Sequence, residues 1–176
     1  VTGVQTCALP IYERGLSDET IAAAGLGYLA KGYYAGRESR GFWVGGDAIT
    51  IPWRPDGHLW QMKLRFLAPV GAKYLPLTWC RAYGLKQPVQ PCGQPHLYGA
   101  GTIAHHDTVF LCEGELDAVL LWQEARDLIG TCTLGSCASP LSRRAARYLR
   151  KKRVIVTYDA DDAGRAAAAD RKSTRL

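Results

Sequence analysis

The chain has 176 residues, 47% of them hydrophobic and 22% charged, with a formal net charge of +6 at neutral pH. That mild basic balance suits anionic partners without specifying one. No apolar run approaches the ~18 residues a membrane-spanning helix needs, and the six cysteines include no CxxC pair, so neither a membrane span nor a zinc site is visible.

Residues 5–11, Gln-Thr-Cys-Ala-Leu-Pro-Ile, can be encoded by the reverse complement of codons for residues 170–176, Asp-Arg-Lys-Ser-Thr-Arg-Leu. Unrelated native termini would not share that relation, and both stretches resemble translated adapter DNA. Residues 1–11 and 170–176 are therefore expected to be adapter-like artefacts, set aside from fold reasoning as a tag would be. Residues 12–169 are then an internal fragment of a longer reading frame. Setting aside Arg171, Lys172, Arg175 and Asp170 removes two positive charges and leaves +4. Cys7 also drops out, leaving Cys80, Cys92, Cys112, Cys132 and Cys137. An odd, unpatterned set of thiols suits a reducing compartment, and a cytoplasmic location is expected.

Ser17 followed by Asp18 and Glu19 predicts a helix start, with the serine as N-cap and the acids suiting the helix dipole. Gly25 and Gly27 end that short helix. A glycine-rich, aromatic stretch without clear periodicity runs to Gly46. A hairpin follows: Ala48–Trp53, a turn at Pro55-Asp56-Gly57, then Leu59–Phe66. Its second strand alternates, with Trp60, Met62, Leu64 and Phe66 on one side and Gln61, Lys63 and Arg65 on the other. Residues 68–100, rich in proline, read as a long loop.

From about Ile103 the pattern becomes α/β. The apolar run Val109–Cys112 predicts a strand, followed by a helix at 115–126 that is apolar on more than one face. A second strand near 129–134 leads to Gly135-Ser136. Ser139 with Pro140 at the first helical position predicts the next helix start. In that helix Leu141, Ala145, Tyr148 and Leu149 form one stripe, and Arg143, Arg144, Arg147 and Arg150 lie opposite, running into Lys151-Lys152-Arg153. A third strand, 154–158, precedes Asp159-Ala160-Asp161-Asp162-Ala163-Gly164 and another helix. Three such strands with short returns predict a right-handed, doubly wound, Rossmann-like parallel sheet.

Ligands of such sheets bind beyond the carboxyl ends of the strands. That edge is where Glu113-Gly114-Glu115-Leu116-Asp117-Ala118 and the Asp159–Gly164 motif fall. Glu113, Asp159 and Asp161 are thus aimed at one crevice. Carboxylates about 4 Å apart repel by roughly 4 kcal/mol near a protein surface. A cluster of three is best held ionised by a cation, and an all-oxygen donor set suits Mg²⁺. Asp117, one turn into its helix, is expected to support the site rather than bind metal, and Asp162 to cap the last helix. The seven cations in the eleven residues 143–153 read equally as a nucleic-acid contact and as a solvated helix face. His105-His106 point to opposite sides of any strand and chelate poorly, so a polar loop is expected. Trp53, Trp60, Trp79 and Trp122 read as core, Cys112 and Cys132 as buried thiols. Cys137, lacking an evident base, is not read as a nucleophile.

The pairing of Glu113-Gly114-x-x-Asp117-Ala118 with Asp159-x-Asp161-x-Ala163-Gly164 resembles the TOPRIM domain of bacterial-type primases, topoisomerases and some nucleases. Tyr12–Thr20, Leu26-Gly27-Tyr28, Asp56-Gly57 leading to Lys63 and Arg65, Lys73-Tyr74-Leu75 and Leu97-Tyr98-Gly99 resemble primase cores. The spelling of the first motif is closest to phage-type primase-helicases. The resemblance implies a small α+β primase-core subdomain at 12–100 and a C-terminally truncated TOPRIM domain at 101–169. It also implies magnesium- (or manganese-) dependent synthesis of RNA primers from ribonucleoside triphosphates on single-stranded DNA. Asp159 and Asp161 would hold the metal, with Glu113 a further ligand or an aid to proton transfer. Gly114, Asp117 and Gly164 would be supporting residues. Lys63, Arg65 and Lys73, together with Arg143, Arg144 and Arg147, would contact nucleotide or template. Zinc would belong only to a missing upstream domain, and a replicative helicase, fused or separate, would be a partner. A TOPRIM-type nuclease and a non-catalytic nucleic-acid-binding module are the alternatives, and the fragment alone is expected to be inactive.

Overall fold

The computed structural model describes residues 11–30, 34–35, 42–43, 47–68, 73–76 and 96–173. The chain divides into one unit of Val1–Trp53 with Leu59–Gly93 and a second of Arg54–His58 with Gln94–Leu176. Trp79, Cys80 and Cys92 lie outside the described residues.

In the first unit, helix α1 (Asp18–Ala24) starts as predicted. The Ser17 side chain accepts from the Thr20 N–H at 3.2 Å, and Gly25, at φ +64°, closes the helix in the left-handed conformation. Gly27 does not end the helix but opens strand β1 (Gly27–Leu29). The glycine-rich stretch contains β2 (Tyr34–Ala35) and β3 (Phe42–Trp43), an antiparallel pair too short to show a period. Strands β4 (Ala48–Trp53) and β5 (Gln61–Phe66) form the predicted hairpin, closed by a Trp60 N–H to Trp53 carbonyl bond of 2.8 Å. Strand β6 (Tyr74–Pro76) lies inside the segment read as loop; three residues ending in proline carry too little alternation to announce a strand. The sheet order is β1-β4-β5-β6, all antiparallel. The alternation of β5 is real: Leu64 is buried with Ala48, against Leu29 and Phe66. Lys63 and Arg65 leave by the other face.

The second unit carries the α/β half. Strand β7 (Thr108–Cys112), helix α2 (Glu115–Ala125), strand β8 (Gly130–Thr133), helix α3 (Arg143–Leu149), strand β9 (Arg153–Thr157) and helix α4 (Asp162–Ser173) follow in turn. The strands are parallel in the order β8-β7-β9. Tyr98 adds an antiparallel bridge to Thr133. Val109, Leu111, Cys132, Leu134, Ala145 and Leu149 are buried in one core, with Leu141 and Tyr148 packed on it, so the predicted apolar stripe of the third helix faces inward. That helix starts later than Ser139-Pro140 suggests. Ser142 is the N-cap, accepting from Ala145 N–H at 3.1 Å, while Ser136–Ser139 are occupied by a turn of their own. His105 and His106 lie in turns, as a polar loop should.

Candidate metal centre and nucleic-acid faces

Parallel register brings the acidic motifs together. Cys112 of β7 pairs with Thr157 of β9, so both chains leave the sheet at the same edge. Beyond it the Asp159 N–H donates to Glu113 Oε2 at 3.1 Å, across 46 positions of sequence. The Glu113 carbonyl accepts from Thr133 Oγ1 at 2.8 Å, which ties the same residue to β8.

Asp161 rather than Asp162 caps α4. Its Oδ1 accepts from Gly164 N–H at 2.7 Å, and its carbonyl accepts from Arg165 N–H at 3.0 Å. Asp162, the first residue of the helix, points outward and pairs with Arg165 at 2.5 Å. Gly164 itself is closely confined. A Cβ on Gly164 would lie 2.1 Å from the Asp159 carbonyl oxygen, so only glycine lets the helix start this close to the acidic loop. Asp117 folds back over its own helix start, where its Oδ2 lies 2.9 Å from where a Gly114 side chain would begin.

Asp159 and Asp161 are exposed and Glu113 is half-buried. The donor set is all oxygen, which suits a hard divalent cation in kind. Among the described residues, no group of three His, Cys, Asp or Glu side chains converges closely enough to hold a metal ion. Each acid keeps a second carboxylate oxygen beyond its backbone bond, Glu113 Oε2 taking the Asp159 N–H and Asp161 Oδ1 the Gly164 N–H.

Cys137, on the loop after β8, also faces this edge. Partial burial, then the Glu113 carboxylate and its hydrogen bond, then Asp161, push its thiol up. The sequence shows no base near Cys137, and the fold places the Glu113 carboxylate beside it. Cys112 and Cys132 are buried, and burial pushes both thiols up. Glu115, exposed by only 1%, was missed; with burial, its proximity raises the Tyr98 phenol. A first-turn acid reads as a dipole partner from sequence, and its burial is a tertiary fact.

The candidate cations fall into differently built groups. In the first unit Lys63 Nζ sits 5.3 Å from the Trp53 ring centroid and 5.6 Å from that of Tyr74. Arg65 Nε donates to the Tyr74 hydroxyl at 3.2 Å. Lys73 is exposed. Trp53 is buried, as expected.

In the second unit Arg143, Arg147 and Arg150 are exposed at helical spacing on α3, away from Ala145 and Leu149. Arg144 is different, lying 3.5 Å from Asp56 Oδ2. The Tyr148 hydroxyl donates to Asp56 Oδ1, and the buried His96 ring stands 4.0 Å from Asp56 Oδ2 and 5.5 Å from the Tyr148 ring. The Tyr148 hydrogen bond first, with the Arg144 guanidinium, holds the Asp56 carboxyl below its usual range. Burial, reinforced by Arg144, pushes the His96 imidazole down towards its neutral form. Lys152 Nζ donates to the His106 carbonyl at 2.8 Å.

Residues 110–174 match the family described as Toprim-like. The Escherichia coli primase catalytic core superposes with a TM-score of 0.71 at 21% identity, over 97% of this chain and 60% of that one. A DnaG primase catalytic domain bound to ssDNA gives 0.70 at 22%, over 97% and 59%. The primase fragment of the bacteriophage T7 primase-helicase protein gives 0.61 at 18%, over 90% and 59%. This chain therefore spans about three fifths of the length of those structures. No curated protein sequence matches it at a significant level. The parallel-sheet unit has a TOPRIM-like fold. The mixed α/β fold matches that of primase catalytic cores over the shared part of those structures.

Proposed function

We propose that this chain is the catalytic-core portion of a DNA primase, a nucleotidyltransferase that copies single-stranded DNA into short RNA primers from ribonucleoside triphosphates. The observation that carries the reading is the Asp159 N–H to Glu113 Oε2 contact at the carboxyl edge of a TOPRIM-like sheet. It joins the two acidic motifs where this sheet type binds ligands.

Asp159 and Asp161, with Glu113, would hold Mg²⁺ or Mn²⁺. A divalent ion held there would supply charge neutralisation at the phosphates of the reacting nucleotide. The chain's own contribution is placement. The Gly164 cap orients Asp161, and the Asp159 amide orients Glu113, whose second oxygen serves as a ligand or accepts the proton of an attacking 3′-hydroxyl. Lys63, Arg65 and Lys73 would contact nucleotide or template phosphates, with Arg143 and Arg147 on the template. Such contacts position the strand without reading it. A replicative helicase, fused or separate, is the expected partner.

The test is the double substitution Asp159→Asn with Asp161→Asn. In the 176-residue chain, Mn²⁺ binding should vanish while anisotropy with a labelled single-stranded oligonucleotide still reports bound DNA. In a chain extended to the length of the matched cores, primer synthesis should disappear. Synthesis persisting in the double variant sinks the assignment.

A further inference from the structure

We infer that Thr133 is a positioning residue for Glu113, acting through the backbone rather than on substrate. Thr133 ends β8 and is fully buried. Its hydroxyl donates to the Glu113 carbonyl at 2.8 Å and accepts from the Gly135 N–H at 2.8 Å. Both roles of one hydroxyl are used, and each serves a backbone group just past a strand end. Its own main chain is gripped on two sides. It pairs with Cys112 of β7, and it exchanges bonds with Tyr98, the Tyr98 N–H to its carbonyl at 3.0 Å and its N–H to the Tyr98 carbonyl at 3.2 Å.

The consequence lies in the next link. Glu113 is the first residue beyond β7 and no longer has a ladder partner to hold its peptide. The Thr133 hydroxyl takes that place. With the peptide fixed, the Glu113 side chain reaches the Asp159 N–H at 3.1 Å. The same hydroxyl anchors Gly135, at φ +85°, where the loop bearing Cys137 begins. Thr133 thus sets both the first acid and the neighbouring loop. Valine keeps the β-branched shape and strand preference but offers no hydroxyl; serine keeps the hydroxyl.

The experiment compares Thr133→Val, Thr133→Ser and Glu113→Ala in the 176-residue chain. Thr131→Val is the control, removing another buried hydroxyl of the same strand without touching Glu113. Amide hydrogen exchange by NMR reads the Asp159 N–H directly. Glu113→Ala should reduce its protection roughly two- to tenfold, the worth of one modest hydrogen bond. Thr133→Val should reproduce that reduction; Thr133→Ser and Thr131→Val should not.

A second readout rests on the proposed metal reading: Mn²⁺ affinity, followed by the electron paramagnetic resonance of the free ion. Thr133→Val should weaken it roughly 10- to 100-fold, the usual effect of removing a partner behind a ligand, and serine should restore it. If Glu113→Ala leaves Mn²⁺ affinity unchanged, the metal reading fails while the amide arm still decides the role of Thr133. An Asp159 amide in Thr133→Val that stays as protected as in the parent chain overturns the inference. So does an equal reduction in Thr131→Val, which would mark general strand damage.

Discussion

The acidic edge and the cationic face of α3 are both charged and both border the same small sheet, yet they are constructed in opposite ways. Glu113 and Asp161 are each tied by a carboxylate oxygen to a backbone N–H, and the Glu113 carbonyl is tied again by Thr133. On α3, Arg143, Arg147 and Arg150 project into solvent, and Arg144 is the member fastened to a carboxylate, that of Asp56. A carboxylate can be oriented by main-chain donors that strand register already delivers. A long guanidinium side chain needs a partner from elsewhere in the chain. Fixed acids suit chemistry that demands geometry; loose cations suit a flexible polyanion, whose capture depends on charge more than on placement.

The sharpest way to break this contrast is Gly164→Ala. The added methyl would meet the Asp159 carbonyl, so the acidic loop or the start of α4 must move. A destabilisation of about 1–3 kcal/mol is expected from overpacking, read as a fall in the thermal midpoint of roughly 2–4 °C per kcal/mol. Mn²⁺ affinity should fall with it. Full stability with unchanged metal binding would mean that the loop is not held as tightly as its contacts indicate.

A smaller effect is expected from the arginines. Each cation that neutralises one phosphate of a single strand adds about 0.7 to the log–log salt slope of binding. Arg143→Gln with Arg147→Gln should therefore lower that slope by about 1.4. Arg144→Gln should change it less, because that guanidinium already faces Asp56. An equal change for Arg144 would show that DNA displaces Asp56. No change in the double variant would return the helix to a solvated face.

The smallest effect is a pH dependence. Tyr148 is the leading cause holding the Asp56 carboxyl below its usual 3.8. A depressed carboxyl contributes stability above its unfolded pKa and forfeits it as pH falls through the lower folded value. Tyr148→Phe should shrink that contribution, so parent and variant differ most near neutral pH and converge in acid. Stability curves of parent and variant offset equally from neutral pH down into strong acid would assign the difference to packing instead.

Much of this was legible from residues alone where the signal was local. The Ser17 cap, the alternation of β5, the apolar runs of β7, buried, and β9, half-buried, and the apolar stripe of α3 all depend on neighbours within a turn or a strand. The misplacements are equally instructive. Ser139-Pro140 has the features of a helix start, but the chain spends those residues on a turn and begins at Ser142. Asp162 reads as well as a cap as Asp161, but the Gly164 N–H is taken by the Asp161 carboxylate. Strand β6 is too short to carry a period. The fastening of Arg144 had no sequence signal, since its partner Asp56 lies 88 positions away.

By itself, then, the sequence determined the first helix, the β4–β5 hairpin, the order and kind of the elements of the α/β half and the carboxyl-edge location of its acids, because periodicity and turn residues act over a few positions. Only the tertiary structure decided which oxygen meets which N–H, that Thr133 holds Glu113, and that one arginine of the basic run is engaged while its exposed neighbours project outward. Those outcomes follow from strand register and side-chain packing between distant segments, and the free energy of such contacts exists only once the chain has brought them together.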